Sequence, residues 1–324
     1  MDFKLTIGRR SLLLGSAALV GVAGTTPLFV SIFPETSTGW QKSPSNPVLG
    51  KPFGTCFDAA VLHENPLYRM WFSWRPEKSI AYCESTDGVK WTDPVVVLSP
   101  AQGEQDVNRP AILHRDGLYH IWFTSQTATK SWINYATSPD GKIWKRISNP
   151  AAMTADRPWE KVAVMCPEVL WDTDLGLYRM WYSGGEQFEP DAIGYATSKD
   201  GVGWTKQPDP IFTADHSLEW ERAKVTACSI RRMGAWHYMF YIGFKDEHTA
   251  AIGVAKSLDG VSGWIRNKQN PIIRHGAILA WDGAAVYKPV PVMEPDRWLL
   301  WYNARRRSTE QIGLAIHPGV DLEF

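Results

Sequence analysis

Apolar and aromatic residues along this chain recur in short β-forming runs that are separated by turns, without the spacing of amphipathic helices. The clearest run occurs five times, at 67–72, 118–123, 177–182, 237–241 and 298–302. Each copy follows a shorter apolar segment, at 59–62, 110–113, 167–170, 228–230 and 289–292, and precedes a third one. Short runs rich in Trp, Tyr, Val and Ile indicate strands. The pattern therefore predicts an all-β fold made of repeated units.

Four of the units continue into a Ser-x-Asp-Gly turn that a tryptophan closes, at 85–91, 138–144, 198–204 and 257–264. Asp-Gly between two apolar runs is a strong hairpin signal, because glycine adopts the positive φ that the turn requires. Each unit then has four strands, and the units recur at roughly 50 to 60 residues, as propeller blades do. We therefore predict a five-bladed β-propeller with four-stranded blades over residues 36–324.

The two ends of the chain predict how this propeller closes. The segment Gly39-Trp40-Gln41-Lys42 copies the outer strand of the third unit, Gly203-Trp204-Thr205-Lys206, yet it precedes the first unit. The fifth unit, in contrast, ends after its third strand. We expect the N-terminal strand to complete the last blade, which would remove an exposed sheet edge.

Residues 1–35 differ from the repeat. Arg9 and Arg10 precede an apolar run that ends near Gly24, and this segment resembles a twin-arginine export signal. An uncleaved membrane anchor is the alternative, since the apolar stretch nearly reaches spanning length. We expect an exported protein, periplasmic or extracellular, with no membrane contact beyond such an N-terminal anchor.

Composition limits the partners. The 324 residues include 34 basic and 34 acidic side chains, so no overall field attracts nucleic acid or an anionic membrane. The four cysteines form no Cys-x-x-Cys pair, which leaves disulfides unassigned and gives no zinc motif. We expect a monomer with no cofactor and no metal at the active site, although a structural channel cation such as calcium stays open.

Departures from the repeat mark the candidate site, because the first strands of a propeller line its central channel. The residue at the same position of each first strand differs between units: Asp58, Arg109, Cys166, Ala227 and Lys288. Tryptophans that recur in most units are instead expected to be scaffold. Carboxylates stand near these strands at Asp58, Asp106 and Glu168.

The segments Phe57-Asp58-Ala59-Ala60-Val61 and Met165-Cys166-Pro167-Glu168 resemble the five-bladed propeller glycoside hydrolases of families 43, 32, 62 and 68. In those families a blade-one aspartate is nucleophile or base, a blade-two aspartate stabilises the transition state, and a blade-three glutamate is the acid. The resemblance implies these roles for Asp58, Asp106 and Glu168, in a hydrolase of poly- or oligosaccharides. Two positions depart from the pattern. Arg109 replaces the second aspartate, and Met165 replaces the glutamate of the Glu-Cys-Pro motif.

Substrate binding is expected at Asn108, Arg109, Trp74, Glu186 and Lys288. Arg109 and Lys288 are suited to an acidic sugar, Trp74 to stacking on a sugar ring, and Glu186 is an alternative acid. The missing glutamate favours a second interpretation, a non-catalytic carbohydrate-binding or scaffold propeller. A third is a polysaccharide lyase or transferase on the same fold. Sugar identity, linkage and stereochemical outcome stay open.

Overall fold

A computed structural model describes residues 34–147, 151–188 and 190–324 of the chain. Strands and two short 3-10 helices, η1 (Arg75–Glu77) and η2 (Pro158–Glu160), make up its regular structure. This confirms the predicted all-β fold. The predicted export signal or anchor, residues 1–35, lies outside the described residues except for its last two positions. Among the described residues no helix is long and apolar enough to cross a membrane.

The strands form five antiparallel meanders of four strands each, numbered here as sheets 1 to 5. A parallel bridge between Ala163 and Ser131 joins sheets 2 and 3 into one eight-stranded sheet. Sheet 1 contains β2 (Cys56–Glu64), β3 (Leu67–Trp74), β4 (Ser79–Ser85) and β5 (Val95–Leu98), and sheet 2 contains β6 (Asp106–Arg115), β7 (Leu118–Gln126), β8 (Ser131–Ser138) and β9 (Lys145–Arg146). Sheet 3 contains β10 (Ala163–Asp172), β11 (Leu177–Gly185), β12 (Pro190–Ser198) and β13 (Thr205–Lys206), and sheet 4 contains β14 (Lys224–Met233), β15 (Trp236–Phe244), β16 (Ala250–Ser257) and β17 (Ile265–Arg266). Sheet 5 contains β18 (Ala285–Met293), β19 (Arg297–Arg306), β20 (Thr309–Pro318) and β1 (Gln41–Lys42).

The fifth sheet takes its outer strand from the N-terminal part of the chain, as predicted. Gln41 lies opposite Ile316 and Lys42 opposite Ala315 in an antiparallel pair. The ammonium group of Lys42 also reaches Asp282, just before β18, at 2.6 Å. The two ends of the described chain are therefore joined by backbone pairing and by a buried ion pair.

The first strand of each sheet, here called the inner strand, contacts the inner strands of its neighbours. These contacts join β2 to β6, β6 to β10, β10 to β14, β14 to β18, and β18 back to β2. Five apolar clusters lie between consecutive sheets in the same order, and one of them joins sheet 5 to sheet 1. The largest apolar side chains are thus buried between sheets, where each sheet covers the face of the next.

Tryptophans on the second strands link consecutive sheets by a recurring hydrogen bond. Each indole N–H donates to the carbonyl oxygen of the turn glycine in the adjacent sheet: Trp71 to Gly141 (2.7 Å), Trp122 to Gly201 (2.8 Å), Trp181 to Gly260 (2.8 Å) and Trp301 to Gly88 (3.0 Å). At Gly141, with φ of 75°, an added Cβ would lie 2.8 Å from the Trp71 ring. These tryptophans are scaffold, as predicted.

A buried ion pair recurs within four sheets. A basic side chain on the outermost strand reaches an acidic side chain just before the inner strand: Lys42 to Asp282, Arg146 to Glu104, Lys206 to Glu160 and Arg266 to Glu221. Glu160 and Glu221 are fully buried. Each pair connects the first and last strands of its sheet, and its repetition explains why Asp282 follows the tryptophan before β18.

Removing one indole hydrogen bond should weaken the packing between two sheets. We expect Trp71→Phe to lower the free energy of unfolding by about 2 to 4 kcal/mol, because the Gly141 carbonyl loses its donor and a cavity forms. Denaturant unfolding would measure this loss. Trp132→Phe is the matched control, since Trp132 is only half-buried and its ring contacts the Lys130 ammonium group. An equal effect of the two substitutions would contradict the structural role of the Trp71 hydrogen bond.

Candidate active site

All five inner strands bend at the same position. It is the position at which the five repeated units carry different residues in the sequence. Asp58, Arg109, Cys166, Ala227 and Lys288 all have positive φ, between 35° and 53°. At each of them the pairing with the second strand shifts register, as in a β-bulge. Positive φ is uncommon for residues other than glycine and concentrates at functional positions. The backbone thus presents five different side chains in one shared conformation.

Hydrogen bonds from the preceding sheet hold four of these bulges in place. The bulge N–H group donates to a polar side chain on the second strand of that sheet: Asp58 to Asn303 (3.3 Å), Arg109 to Ser73 (2.8 Å), Cys166 to Thr124 (3.1 Å) and Ala227 to Ser183 (2.8 Å). The position of each bulge therefore depends on how two sheets pack. This contact also links the first sheet to the fifth.

The bulges open into a cavity of about 360 Å³ that is lined by residues of all five sheets. Four of its lining residues are arginines: Arg75, Arg109, Arg305 and Arg307. Two are carboxylates, Asp58 and Glu310. Phe57, Phe244 and Tyr287 supply aromatic surface. A concave site with few convergent charges and aromatic walls is typical of ligand binding.

Asp58 is almost fully buried in this cavity, at 8% exposure, and it is paired with Arg109. The Arg109 Nε atom lies 3.1 Å from Asp58 Oδ2. Arg109 is itself oriented by Asn108 Oδ1 at 2.7 Å and by Gln126 Oε1 at 3.2 Å. The guanidinium stabilises a negative charge on Asp58, so this residue can serve as a nucleophile or a base.

Glu310, at the start of β20, is the second carboxylate of the cavity, and its environment differs from that of Asp58. Burial raises the pKa of Glu310; Arg75 opposes this shift, and the negative charge of Asp58 adds to it. Arg75 Nη2 lies 3.0 Å from Glu310 Oε2. Both carboxylates thus face a guanidinium, but burial favours the protonated form of Glu310, which is the form that a general acid needs.

Asp106 stands next to this pair without lining the cavity. Asn108 Nδ2 donates to Asp106 Oδ1 at 2.8 Å, and the Oδ1 atom of the same asparagine accepts from Arg109. Burial raises the pKa of Asp106, while Asn108 and Arg109 lower it. A chain of polar contacts therefore runs from Asp106 through Asn108 and Arg109 to Asp58.

The structure does not bring Glu168 to Asp58. Glu168 lies two residues beyond the bulge at Cys166, about 7 Å farther along the inner strand. It lines a second cavity of about 390 Å³ on the far side of the bulges. Its Oε1 atom accepts from Arg231 at 2.8 Å and from the Ile230 N–H at 3.1 Å. The roles that the family resemblance implies for Asp58 and Glu168 require the two carboxylates to face one substrate, and the structure instead places them in separate cavities.

Three predicted binding residues also lie outside the lining of this cavity. Trp74 donates its indole N–H to the Phe53 carbonyl at 2.8 Å. The exposed Glu186 pairs with Lys161 at 3.1 Å. Lys288 is 1% exposed and donates to the Cys228 carbonyl at 3.1 Å. Arg109 and Asn108 alone among the five predicted binders line the cavity.

Cys166 lines the cavity but is not suited to be a nucleophile. Burial raises the pKa of its thiol to about 11, although Arg109 acts in the opposite direction. The reactive form of cysteine is the thiolate, which is scarce at neutral pH for such a group. All four cysteines are buried and unpaired. In the described residues no set of three or more His, Cys, Asp or Glu side chains is arranged to hold a metal ion.

Four further charged residues line this cavity that were not among the predicted site residues: Glu310, Arg75, Arg305 and Arg307. All four belong to connections between second and third strands, or flank them, on the face where the bulges open. A usable signal was present in the run Arg305-Arg306-Arg307-Ser308-Thr309-Glu310, which no other unit repeats.

The raised pKa of Glu310 predicts a pH effect on stability. The folded protein holds this proton more tightly than the unfolded chain does, and that stabilisation is lost as the pH rises above 4.5 through the folded pKa. Relative to the parent, the thermal midpoint of Glu310→Gln should therefore increase with pH across this range. Glu77→Gln, at an exposed carboxylate near Arg75, is the control. Parallel profiles for Glu310→Gln and the parent would contradict the assignment.

Comparisons with known proteins find similarity to glycoside hydrolases. The model of the glycosyl hydrolases family 32 N-terminal domain matches residues 60–283. The uncharacterized proteins MT1551 and Rv1502 of Mycobacterium tuberculosis are each 28% identical to the chain over 136 residues. That match covers 38% of this chain and 44% of each relative, so it spans less than half of their length.

Several solved structures have a similar fold. A glycosyl hydrolase from Bacteroides ovatus has a TM-score of 0.67 at 16% identity, covering 86% of this chain and 93% of its own. An exo-1,5-alpha-L-arabinanase from a bovine ruminal metagenomic library has a TM-score of 0.62 at 15% identity, and the match covers 82% of this chain and 94% of the arabinanase. A structure from the GH130 family of mannoside phosphorylases and glycoside hydrolases has a TM-score of 0.69 at 16% identity, and the match covers 90% of this chain and 99% of that structure. At these identities the likeness shows the fold alone, that of propeller glycoside hydrolases.

Proposed function

We propose that this chain, which belongs to the glycosyl hydrolase family 32 N-terminal domain family, is a glycosidase whose catalytic carboxylates are Asp58 and Glu310. The observation that carries the proposal is their shared cavity, in which Asp58 faces Arg109 while burial favours the protonated form of Glu310. Glycoside hydrolysis requires such a pair, one carboxyl group ionised and the other protonated. The proposal moves the acid from Glu168 to Glu310.

In the proposed reaction, Glu310 gives its proton to the glycosidic oxygen as the bond between that oxygen and the anomeric carbon breaks. In one route Asp58 attacks the anomeric carbon, and water then cleaves the resulting glycosyl ester while Glu310 takes up the proton of that water. In the other route Asp58 removes a proton from the water that attacks the anomeric carbon directly. One water molecule is consumed in either case, and two saccharides with free hydroxyl groups leave. Asp106 and Asn108 act as positioning residues, because their polar chain orients Arg109 against Asp58.

We further propose that the five sheets are the blades of one closed five-bladed propeller. The inner-strand contacts that run from β2 through β18 and back to β2 support this ring. So does the apolar cluster between sheets 5 and 1, and so does the pairing of β1 with β20. In such a ring the bulges would encircle one end of a channel, which is where the Asp58 cavity opens.

Substitution of the two carboxylates tests the catalytic roles. Asp58→Asn should lower kcat by about 10² to 10⁴-fold on any hydrolysed saccharide. Glu310→Gln should lower kcat strongly on saccharides but much less on nitrophenyl glycosides, because that leaving group departs without a proton. Its pH profile should also lose the decline at high pH. Steady-state kinetics on arabinans, xylans, fructans, acidic polysaccharides and aryl glycosides would measure these effects.

Two comparisons make this experiment decisive. Glu77→Gln, a change at an exposed carboxylate, should retain full turnover. Glu168→Gln removes the carboxylate of the second cavity, so a greater loss there than in Glu310→Gln, at equal thermal stability, would refute the assignment of the acid. If the parent protein binds saccharides but hydrolyses none, the non-catalytic alternative is favoured instead.

We propose that residues 1–35 direct export through the twin-arginine pathway, so that the enzyme acts in the periplasm or outside the cell. The paired Arg9 and Arg10 ahead of an apolar run support this proposal. In a bacterial host with this pathway, the double substitution Arg9→Lys and Arg10→Lys should shift the protein from the exported to the cytoplasmic fraction. Immunoblots of cell fractions measure the shift. Equal distributions of parent and variant would contradict a twin-arginine signal.

A further inference from the structure

We propose that the cavity of Asp58 and Glu310 selects saccharides that carry a carboxylate, with Arg305 and Arg307 as the binding site for that acidic group. The inference deepens the proposed function, since it places a substrate class in the same site. It rests on the distribution of charge within the cavity and on the shape of the hairpin that delivers the two arginines.

The cavity holds more cations than its own carboxylates can pair with. Asp58 is paired with Arg109 at 3.1 Å, and Glu310 with Arg75 at 3.0 Å. Arg305 and Arg307 line the same cavity, and among the described residues neither forms an ion pair with a carboxylate. Two positive charges thus remain for a ligand. The complete chain has equal numbers of acidic and basic side chains, so this excess is local.

Neighbouring groups place Arg305 where it can reach a bound sugar. Arg305 lies directly opposite Glu310 in the β19–β20 hairpin, so both side chains lie on one face of it. One guanidinium nitrogen donates weakly to the His248 carbonyl at 3.4 Å, and Arg305 Cζ lies 5.7 Å from the centre of the Tyr287 ring. A sugar ring that stacks on Tyr287 would place its acidic substituent next to the Arg305 guanidinium. This guanidinium lies beside Glu310, the proposed acid.

Arg307 occupies the tip of the same hairpin in an unusual conformation. Its φ is 57°, at a position of a two-residue turn that normally favours glycine or asparagine. Arginine in this conformation incurs a backbone cost that glycine would not. Its side chain lines the cavity. A guanidinium in this place binds a carboxylate through two parallel N–H donors, which distinguishes an acid from a neutral sugar.

A binding experiment tests the inference without depending on turnover. The probes are trisaccharides of galacturonic, glucuronic and mannuronic acid, each compared with its methyl ester, which has the same ring but no charge. Calorimetry with the full exported chain should give a Kd about 10 to 100-fold lower for the matching acid than for its ester. That preference should weaken as salt is raised.

Variants assign the preference to the two arginines. The double variant Arg305→Gln and Arg307→Gln should lose the preference and bind acid and ester with equal affinity. Arg306→Gln is the matched control, because this adjacent arginine carries the same charge but does not line the cavity of Asp58. It lines a neighbouring cavity beside Ile278 and Leu279, to which Arg307 also contributes. The control variant should retain the full preference for the acid.

The outcomes separate this inference from the proposed function. Acid preference that depends on Arg305 and Arg307 supports the inference even if Asp58→Asn leaves turnover intact, which would refute only the catalytic assignment. Equal binding of acids and esters by the parent overturns the inference. So does tighter binding of a neutral arabinan or fructan oligosaccharide. Binding of inorganic phosphate alone, removed by the double variant, also overturns it, since the site would then serve a free anion.

Discussion

The hydrogen bond from a second-strand indole to the turn carbonyl of the adjacent sheet is the interaction on which the remainder of this structure depends. Backbone contacts between sheets are few: a parallel bridge between Ala163 and Ser131 joins sheets 2 and 3, and the Val107 N–H group donates to the Lys78 carbonyl between sheets 2 and 1. Side chains must therefore set how one sheet lies against the next. The indole is large enough to fill the space between sheets, and its one N–H group has a single direction, so it fixes depth and orientation together.

The geometry of the candidate active-site cavity depends on this packing. Four of the five bulges on the inner strands are held by a polar side chain of the preceding sheet, so a shift between sheets would displace Asp58 and Arg109. Catalytic groups tolerate little displacement from a productive geometry. The repeated tryptophans and buried ion pairs thus act on function indirectly, by keeping five independent strands in fixed relation around one cavity.

Within that cavity, function comes from positions where the repeat is broken. The bulge conformation is common to all five inner strands, yet its side chains are an aspartate, an arginine, a thiol, a methyl group and a buried ammonium. Relative to the family pattern, Arg109 and Met165 remove two carboxylates, while Glu310 supplies one from a different sheet. The polar chain from Asp106 to Asp58 joins residues of sheets 1 and 2. A cationic excess remains, which a neutral saccharide would not require.

The sequence by itself determined the five four-stranded units, the scaffold role of the recurring tryptophans and the N-terminal strand that completes the last sheet, because all of these follow the repeat. It also aligned the five inner-strand positions whose residues differ, although only the structure shows that these positions are bulges. The sequence also identified Asp58, Asn108 and Arg109. Only the tertiary structure decided which carboxylates share a cavity. Glu168 lies two residues past its bulge and lines the other cavity. Glu310 lines the same cavity as Asp58, although about 250 positions separate the two residues, because the last sheet contacts the first. The periodicity of the sequence does not predict which distant residues meet, since that depends on how whole sheets pack.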